Sequence, residues 1–201
     1  MAGDGARVPF VGLTGGIAAG KSEALKALER LGAATLSTDA VVHDLLESDE
    51  VRDQLVERFG ERVAPGGRID RGVVAEVVFG DPDQRSWLEG VLWPRVGERV
   101  AAWRSSVEEA QPAPPAAVVE VPLLFESGMD QAFDRTIAVV AEESVREERA
   151  GGRGHEGLES RTSRQLTQEE KARRADLVVQ NDGTIEDLER RLSKALETIR
   201  R

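Results

Sequence analysis

Residues 15–22 read Gly15-Gly16-Ile17-Ala18-Ala19-Gly20-Lys21-Ser22, a glycine, four residues, then Gly-Lys-Ser. The flanks constrain the fold as much as the motif does. Val8 to Leu13 reads as a short buried strand, and Ser22 to Leu31 as a helix with Leu25, Leu28 and Leu31 on one side. A strand, a glycine-rich turn and a helix start form a phosphate-binding loop, because backbone N–H groups reach a phosphate only where side chains do not block them. The new helix adds unpaired N–H groups and the positive end of its dipole. Gly15, Gly16 and Gly20 remove the blocking side chains, Lys21 can follow β- and γ-phosphates, and the Ser22 hydroxyl can serve Mg²⁺.

The rest of the chain supplies four more apolar runs. Ala33–Ser37, Ala117–Val121, Thr136–Ala141 and Leu177–Val179 read as strands, with helical periodicity between them. Alternating strands and helices predict an α/β fold, a five-stranded parallel sheet of the P-loop NTPase type flanked by helices. Apolar spacing from Val41 to Val100 predicts a helical insert over 40–107, holding all three tryptophans, Trp87, Trp93 and Trp103, as core or, second, as an aromatic wall for a ligand. Residues 142–175 are charged around Gly151-Gly152-Arg153-Gly154 and predict two helices joined by a tip, a lid. Thr167 and Glu170 form a capping box, and Ile185 to Ile199 carries the apolar stripe of a C-terminal helix. The nucleotide-binding core is then 7–39, 112–141 and 176–201 of a single domain.

Composition narrows the function. The chain has 201 residues, 40% hydrophobic and 32% charged, as expected of a globular domain. A net charge of −10 disfavours bulk nucleic-acid binding. The absence of cysteine excludes disulfides, thiolate metal sites and a cysteine nucleophile. His43 and His155 are read as surface residues. No apolar run approaches the ~20 residues needed to span a bilayer, so no membrane role and a cytoplasmic location are expected. The chain lacks the Asn-Lys-x-Asp and Asp-x-x-Gly strings of a GTPase, and Val118-Val119-Glu120-Val121-Pro122 is a poor Walker B run. A small-molecule kinase remains. Asp39, after the second strand, has the placement of a general base for an attacking hydroxyl, or of a cap on a helix starting at Ala40. The arginines at 146, 149, 153, 161 and 164 suit stabilisation of γ-phosphate charge, or a solvated helix pair.

Several ordered blocks resemble the dephospho-CoA kinase family over nearly the whole chain. Gly12-Leu13-Thr14-Gly15-Gly16-Ile17-Ala18-Ala19-Gly20-Lys21-Ser22 is similar to that family's Gly-Leu-Thr-Gly-Gly-Ile-Gly-Ser-Gly-Lys-Ser. Pro122-Leu123-Leu124-Phe125-Glu126, then Gln165-Leu166-Thr167 to Lys171, Ala175-Asp176 and Asn181-Asp182-Gly183 match its later blocks. The resemblance implies transfer of phosphate from ATP to the ribose 3′-hydroxyl of dephospho-CoA, with Mg²⁺. It implies Asp39 and Lys21 as catalytic, Gly15 to Glu23 on the phosphates of ATP (the last through its backbone N–H), and Asn181 near the adenine edge. Arg71, Phe79, Trp93, Pro122 and Leu123 fall on the acceptor side, and Arg149, Arg153 and Arg161 at lid positions. ATP and dephospho-CoA are the expected partners, and the chain is expected to be a monomer or weak homo-oligomer. A related kinase for another nucleoside, or a regulator without transfer activity, stays open. The chain departs from the family pattern at Ser37 (usually Asp), at Trp93-Pro94 (usually His-Pro) and at Glu23 (usually Thr). The Glu23 charge is tolerable only if it points away from the phosphates.

Overall fold

Six consecutive buried residues, Phe10–Gly15, form β1 at the centre of the sheet. A strand buried on both faces needs apolar or small side chains throughout, which is what this run supplies. The computed structural model describes residues 7–151 and 165–200. Among them β2 is Ala34–Ser37, β3 Ala117–Glu120, β4 Arg135–Val140 and β5 Leu177–Gln180. The strand order is β2-β3-β1-β4-β5 and every pairing is parallel. Leu13 stands in register with Glu120 of β3 and Ile137 of β4. The predicted five-stranded parallel sheet is therefore present.

The helices are α1 (Lys21–Arg30), α2 (Thr38–Glu47), α3 (Asp49–Phe59), α4 (Arg71–Phe79), α5 (Pro82–Glu108), α6 (Glu143–Gly151), α7 (Gln168–Arg174) and α8 (Ile185–Ile199). Two of these cover the sheet. Ala24, Ala27 and Leu28 of α1 and Leu188, Leu192, Ala195 and Leu196 of α8 join Val11, Leu13, Val118 and Ile137 in one apolar cluster. Each fully buried leucine contributes about 1.5–3 kcal/mol relative to exposure. Thr184 and Asp187 cap α8 reciprocally, and Thr167 and Glu170 do the same for α7, as predicted.

The chain divides into two compact units, Met1–Ser37 with Arg104–Arg201, and Thr38–Trp103. The first holds the sheet, α1, α6, α7 and α8. Side chains fix its strand ends. Asp134 accepts from the Phe10 N–H at 2.9 Å, and Asp176 accepts from both the N–H and the hydroxyl of Thr136 at 2.8 Å. The second unit is helical, with Val51, Leu55, Val63, Val74 and Val96 buried. Asp70 caps α4 through the N–H groups of Gly72 and Val73. The tryptophan expectation fails for Trp93, which is 39% exposed. It stands beside Pro94 on an outward face of α5. Trp87 is half-buried, edge-on to Phe59 at 5.2 Å with Arg58 over its ring at 5.5 Å.

Candidate active site

The loop from Gly15 to Gly20 leaves β1 at its carboxyl end and runs into α1. In open parallel sheets this is the end where ligands bind. Gly15 is fixed by a neighbouring strand, since a Cβ there would collide with the Val139 carbonyl oxygen of β4. Gly20 has φ +93° and stands at the N-cap of α1. A Cβ at Gly20 would overlap the Asn181 amide nitrogen. That amide donates to the Ala19 carbonyl at 2.8 Å in a buried hydrogen bond. Asn181 thus ties the β5 end to the phosphate loop with one of its two amide N–H donors.

Lys21 folds its ammonium back onto the loop, donating to the carbonyls of Gly15 at 3.3 Å and Gly16 at 3.1 Å. Ser22 is exposed in the first turn of α1, and Ile17 and Ala18 are half-buried on the loop. Ala18 has φ 59°, a left-handed conformation that costs a residue with a Cβ about 1–2 kcal/mol. Glu23 turns along α1 to Arg30 at 3.2 Å, and Arg30 also binds Glu189 of α8. Its carboxylate is thereby turned onto the helix surface beside Arg30.

Two arginines of α6 look onto the loop. Arg146 Nη1 lies 3.2 Å from the position of a Cβ on Gly16, and Arg149 Nη1 3.7 Å from that on Gly20. Arg146 Nε and Arg149 Nη1 are buried without hydrogen-bond partners. Gln168 of α7 is spent structurally, donating to the Ala141 carbonyl and accepting from its N–H. A cavity of about 660 Å³ opens here, bounded by Gly16 to Ala18, α6 and the start of α7. Arg153 and Arg161, the other two lid positions, lie outside the described residues.

The Pro122–Glu126 block leaves the end of β3 and is held from behind. Lys171 of α7 is 0% exposed, donates to the Pro122 carbonyl at 2.5 Å and pairs with Glu126 at 3.0 Å. Burial pushes the Lys171 ammonium below the usual lysine range, opposed by its bond to Glu126. Glu126 also accepts from the Leu166 N–H at 2.8 Å, and Thr14 of β1 donates to the Pro122 carbonyl at 3.3 Å. Pro122 and Leu123 are half-buried on this block. The strand pattern understated Glu120, which is 5% exposed at the carboxyl end of β3, between Leu13 and Ser37. An acid closing an apolar strand beside the loop strand was the signal for it.

In the second unit, Asp39 is exposed in the first turn of α2. The helix begins at Thr38, two residues earlier than predicted, so Asp39 lies inside its first turn and is not its cap. Arg71 opens α4, exposed, and Phe79 closes it, 62% exposed. His43 is partly exposed and pairs with Glu47, in keeping with a surface residue.

Comparison with known proteins bears on this arrangement. The model of the dephospho-CoA kinase family matches residues 9–187. A dephospho-CoA kinase of Deinococcus radiodurans is 39% identical over 192 residues, covering 94% of this chain and 91% of its own. A crystal structure from Thermus thermophilus superposes with a TM-score of 0.77 at 33% identity, covering 96% of this chain and 98% of that one. The dephospho-CoA kinase of Campylobacter jejuni shares the fold, with a TM-score of 0.65 at 23% identity over 95% and 97% of the two chains. With its phosphate loop, arginine-bearing α6 and family match over most of its length, the chain belongs to the dephospho-CoA kinase family.

Proposed function

We propose that this protein transfers the γ-phosphoryl group of ATP to the ribose 3′-hydroxyl of dephospho-CoA, giving CoA and ADP, the last step of CoA biosynthesis. The observation that carries the reading is the loop itself, in which Lys21, Arg146 and Arg149 converge on Gly16 and Gly20 in a chain of this family. Phosphoryl transfer asks a protein mainly for positioning and for positive charge around the transferred group. The loop N–H groups and Lys21 hold the donor. The α6 arginines oppose the negative charge of the phosphate chain. Asp39 accepts the proton of the attacking hydroxyl, a role worth roughly 10²–10⁴ in rate. Arg71, Phe79, Trp93, Pro122 and Leu123 are assigned to the acceptor, the exposed Phe79 and Trp93 offering apolar surface to it. The helical stretch 40–107 is assigned as its binding insert and 142–175 as the lid.

Mg²⁺ fits the residues present. Ser22 offers a hydroxyl at the start of α1, and Glu120 a buried carboxylate at the end of β3, hard oxygen donors of the kind Mg²⁺ takes. The ion would neutralise phosphate charge. None of the helices among the described residues is long and apolar enough to cross a membrane. A chain that contains no cysteine and uses ATP suits the cytoplasm, as a monomer or weak homo-oligomer.

The test is to follow ADP release with ATP, Mg²⁺ and either dephospho-CoA or a panel of nucleosides. Dephospho-CoA is expected to be turned over well above every nucleoside, with the new phosphate on the 3′-oxygen by ³¹P NMR. Faster turnover of a nucleoside, or none of any acceptor, would overturn the assignment.

A further inference from the structure

Among its described lining residues, the charged side chains of the cavity above the loop are acidic except at one point. Glu142, Glu143, Glu147 and Glu169 line it, and Arg146 is the one cation among its described lining residues. A triphosphate entering such a space meets four carboxylates and needs a fixed positive group to offset them. The position of Arg146 is specific. Its guanidinium stands over Gly16, the residue whose carbonyl holds the Lys21 ammonium at 3.1 Å. In a loop of this pattern the lysine serves the β- and γ-phosphates. Gly16 therefore marks the terminal-phosphate end. Arg149, one turn further along α6 on the same face, stands instead over Gly20 at the helix start. Arg146 Nε is buried and makes no hydrogen bond. A buried guanidinium N–H is costly unless a ligand completes it, and a guanidinium fork matches phosphate oxygens. Gln168, the other polar side chain at Gly16, is committed to Ala141.

We propose that Arg146 contacts the terminal phosphate of the bound donor, and that it sets the preference for a nucleoside triphosphate over a diphosphate. Arg149 then serves the phosphates nearer the α1 start. The two arginines divide the phosphate chain between them. The assignment rests on ATP being the donor, and it is independent of the acceptor.

Calorimetric titration of ATP and ADP, each with Mg²⁺ and no acceptor, into the wild type, Arg146→Gln and Arg146→Lys tests it. Arg146→Gln is expected to weaken ATP by about tenfold or more, the scale of one charge-assisted hydrogen bond, while ADP stays within about twofold. Arg146→Lys should recover part of the ATP affinity. The nucleotide-free melting temperature should not move in either variant. Equal losses for ATP and ADP, no loss for either, a lowered nucleotide-free melting temperature that accounts for both losses, or a wild type that binds no ATP would each overturn it. Failure of the wild type to phosphorylate dephospho-CoA would sink the acceptor assignment and leave this result standing.

Discussion

Glycines do opposite work in the two units. In the sheet unit, Gly15 and Gly20 exist because something else occupies the space of a side chain, the Val139 carbonyl in one case and the Asn181 amide in the other. In the helical unit, Gly90 and Gly97 lie inside α5 and a Cβ on either would meet nothing within 4 Å. The same residue type is thus a packing requirement in one place and a plain helix weakness in the other. The sheet unit is built tight around its ligand loop. Asn181, Gln168 and Lys171 each reach back from the last third of the chain to hold the loop, the β4 end or the β3 end. The helical unit instead leaves Phe79 and Trp93 in solvent.

That contrast can be broken, starting where the effect is largest. Lys171→Met removes one partner of a buried pair and strands Glu126, a loss of about 3–5 kcal/mol that thermal unfolding should read as a fall of at least ~6 °C. A smaller fall than that would mean the pair is more solvated than its burial indicates. Gly15→Ala forces β1 from β4, and at least ~3 kcal/mol is expected, with loss of ATP binding. Asn181→Ala leaves the buried Ala19 carbonyl unpaired, for about 1–3 kcal/mol and weaker ATP binding. In the other direction, Gly90→Ala and Gly97→Ala should each raise stability by about 0.4–1 kcal/mol without touching nucleotide affinity. Destabilisation by either would mean that α5 packs closely at those points after all.

The smallest effect is with pH. Hydrogen bonds from Thr167 hold Glu170 below the usual carboxylate range, and Arg190 followed by the Thr184 N–H does the same for Asp187. A depressed folded-state value stabilises the fold above the unfolded value and is lost as pH falls through the folded one. Melting temperature should therefore be flat near neutrality and decline below about pH 4.

The strands and the loop were legible because their signals are local. Apolar runs, a glycine spacing and the Thr167–Glu170 capping box need only their own few residues. The lock on the loop was not legible, since Asn181 and Ala19 are 162 positions apart and nothing in either segment announces the other. Lys171 reads as an ordinary helix cation until the fold buries it under Pro122. Arg146 stood among five lid arginines, and only its placement over Gly16 separates it from the rest. The core reading of Trp93 failed because aromatic residues usually go to cores, whereas this face of α5 is outward. Asp39 was ambiguous from sequence between base and cap, and the start of α2 at Thr38 removes the cap.

The two units are assigned different duties, holding the donor and supplying the base, and Asp39→Asn separates them most directly. Measuring ATP affinity and turnover of dephospho-CoA on the same preparation should give a dissociation constant within about twofold of wild type and turnover lowered by roughly 10²-fold or more. Turnover near the wild-type rate would contradict the account, because the hydroxyl would then be losing its proton elsewhere.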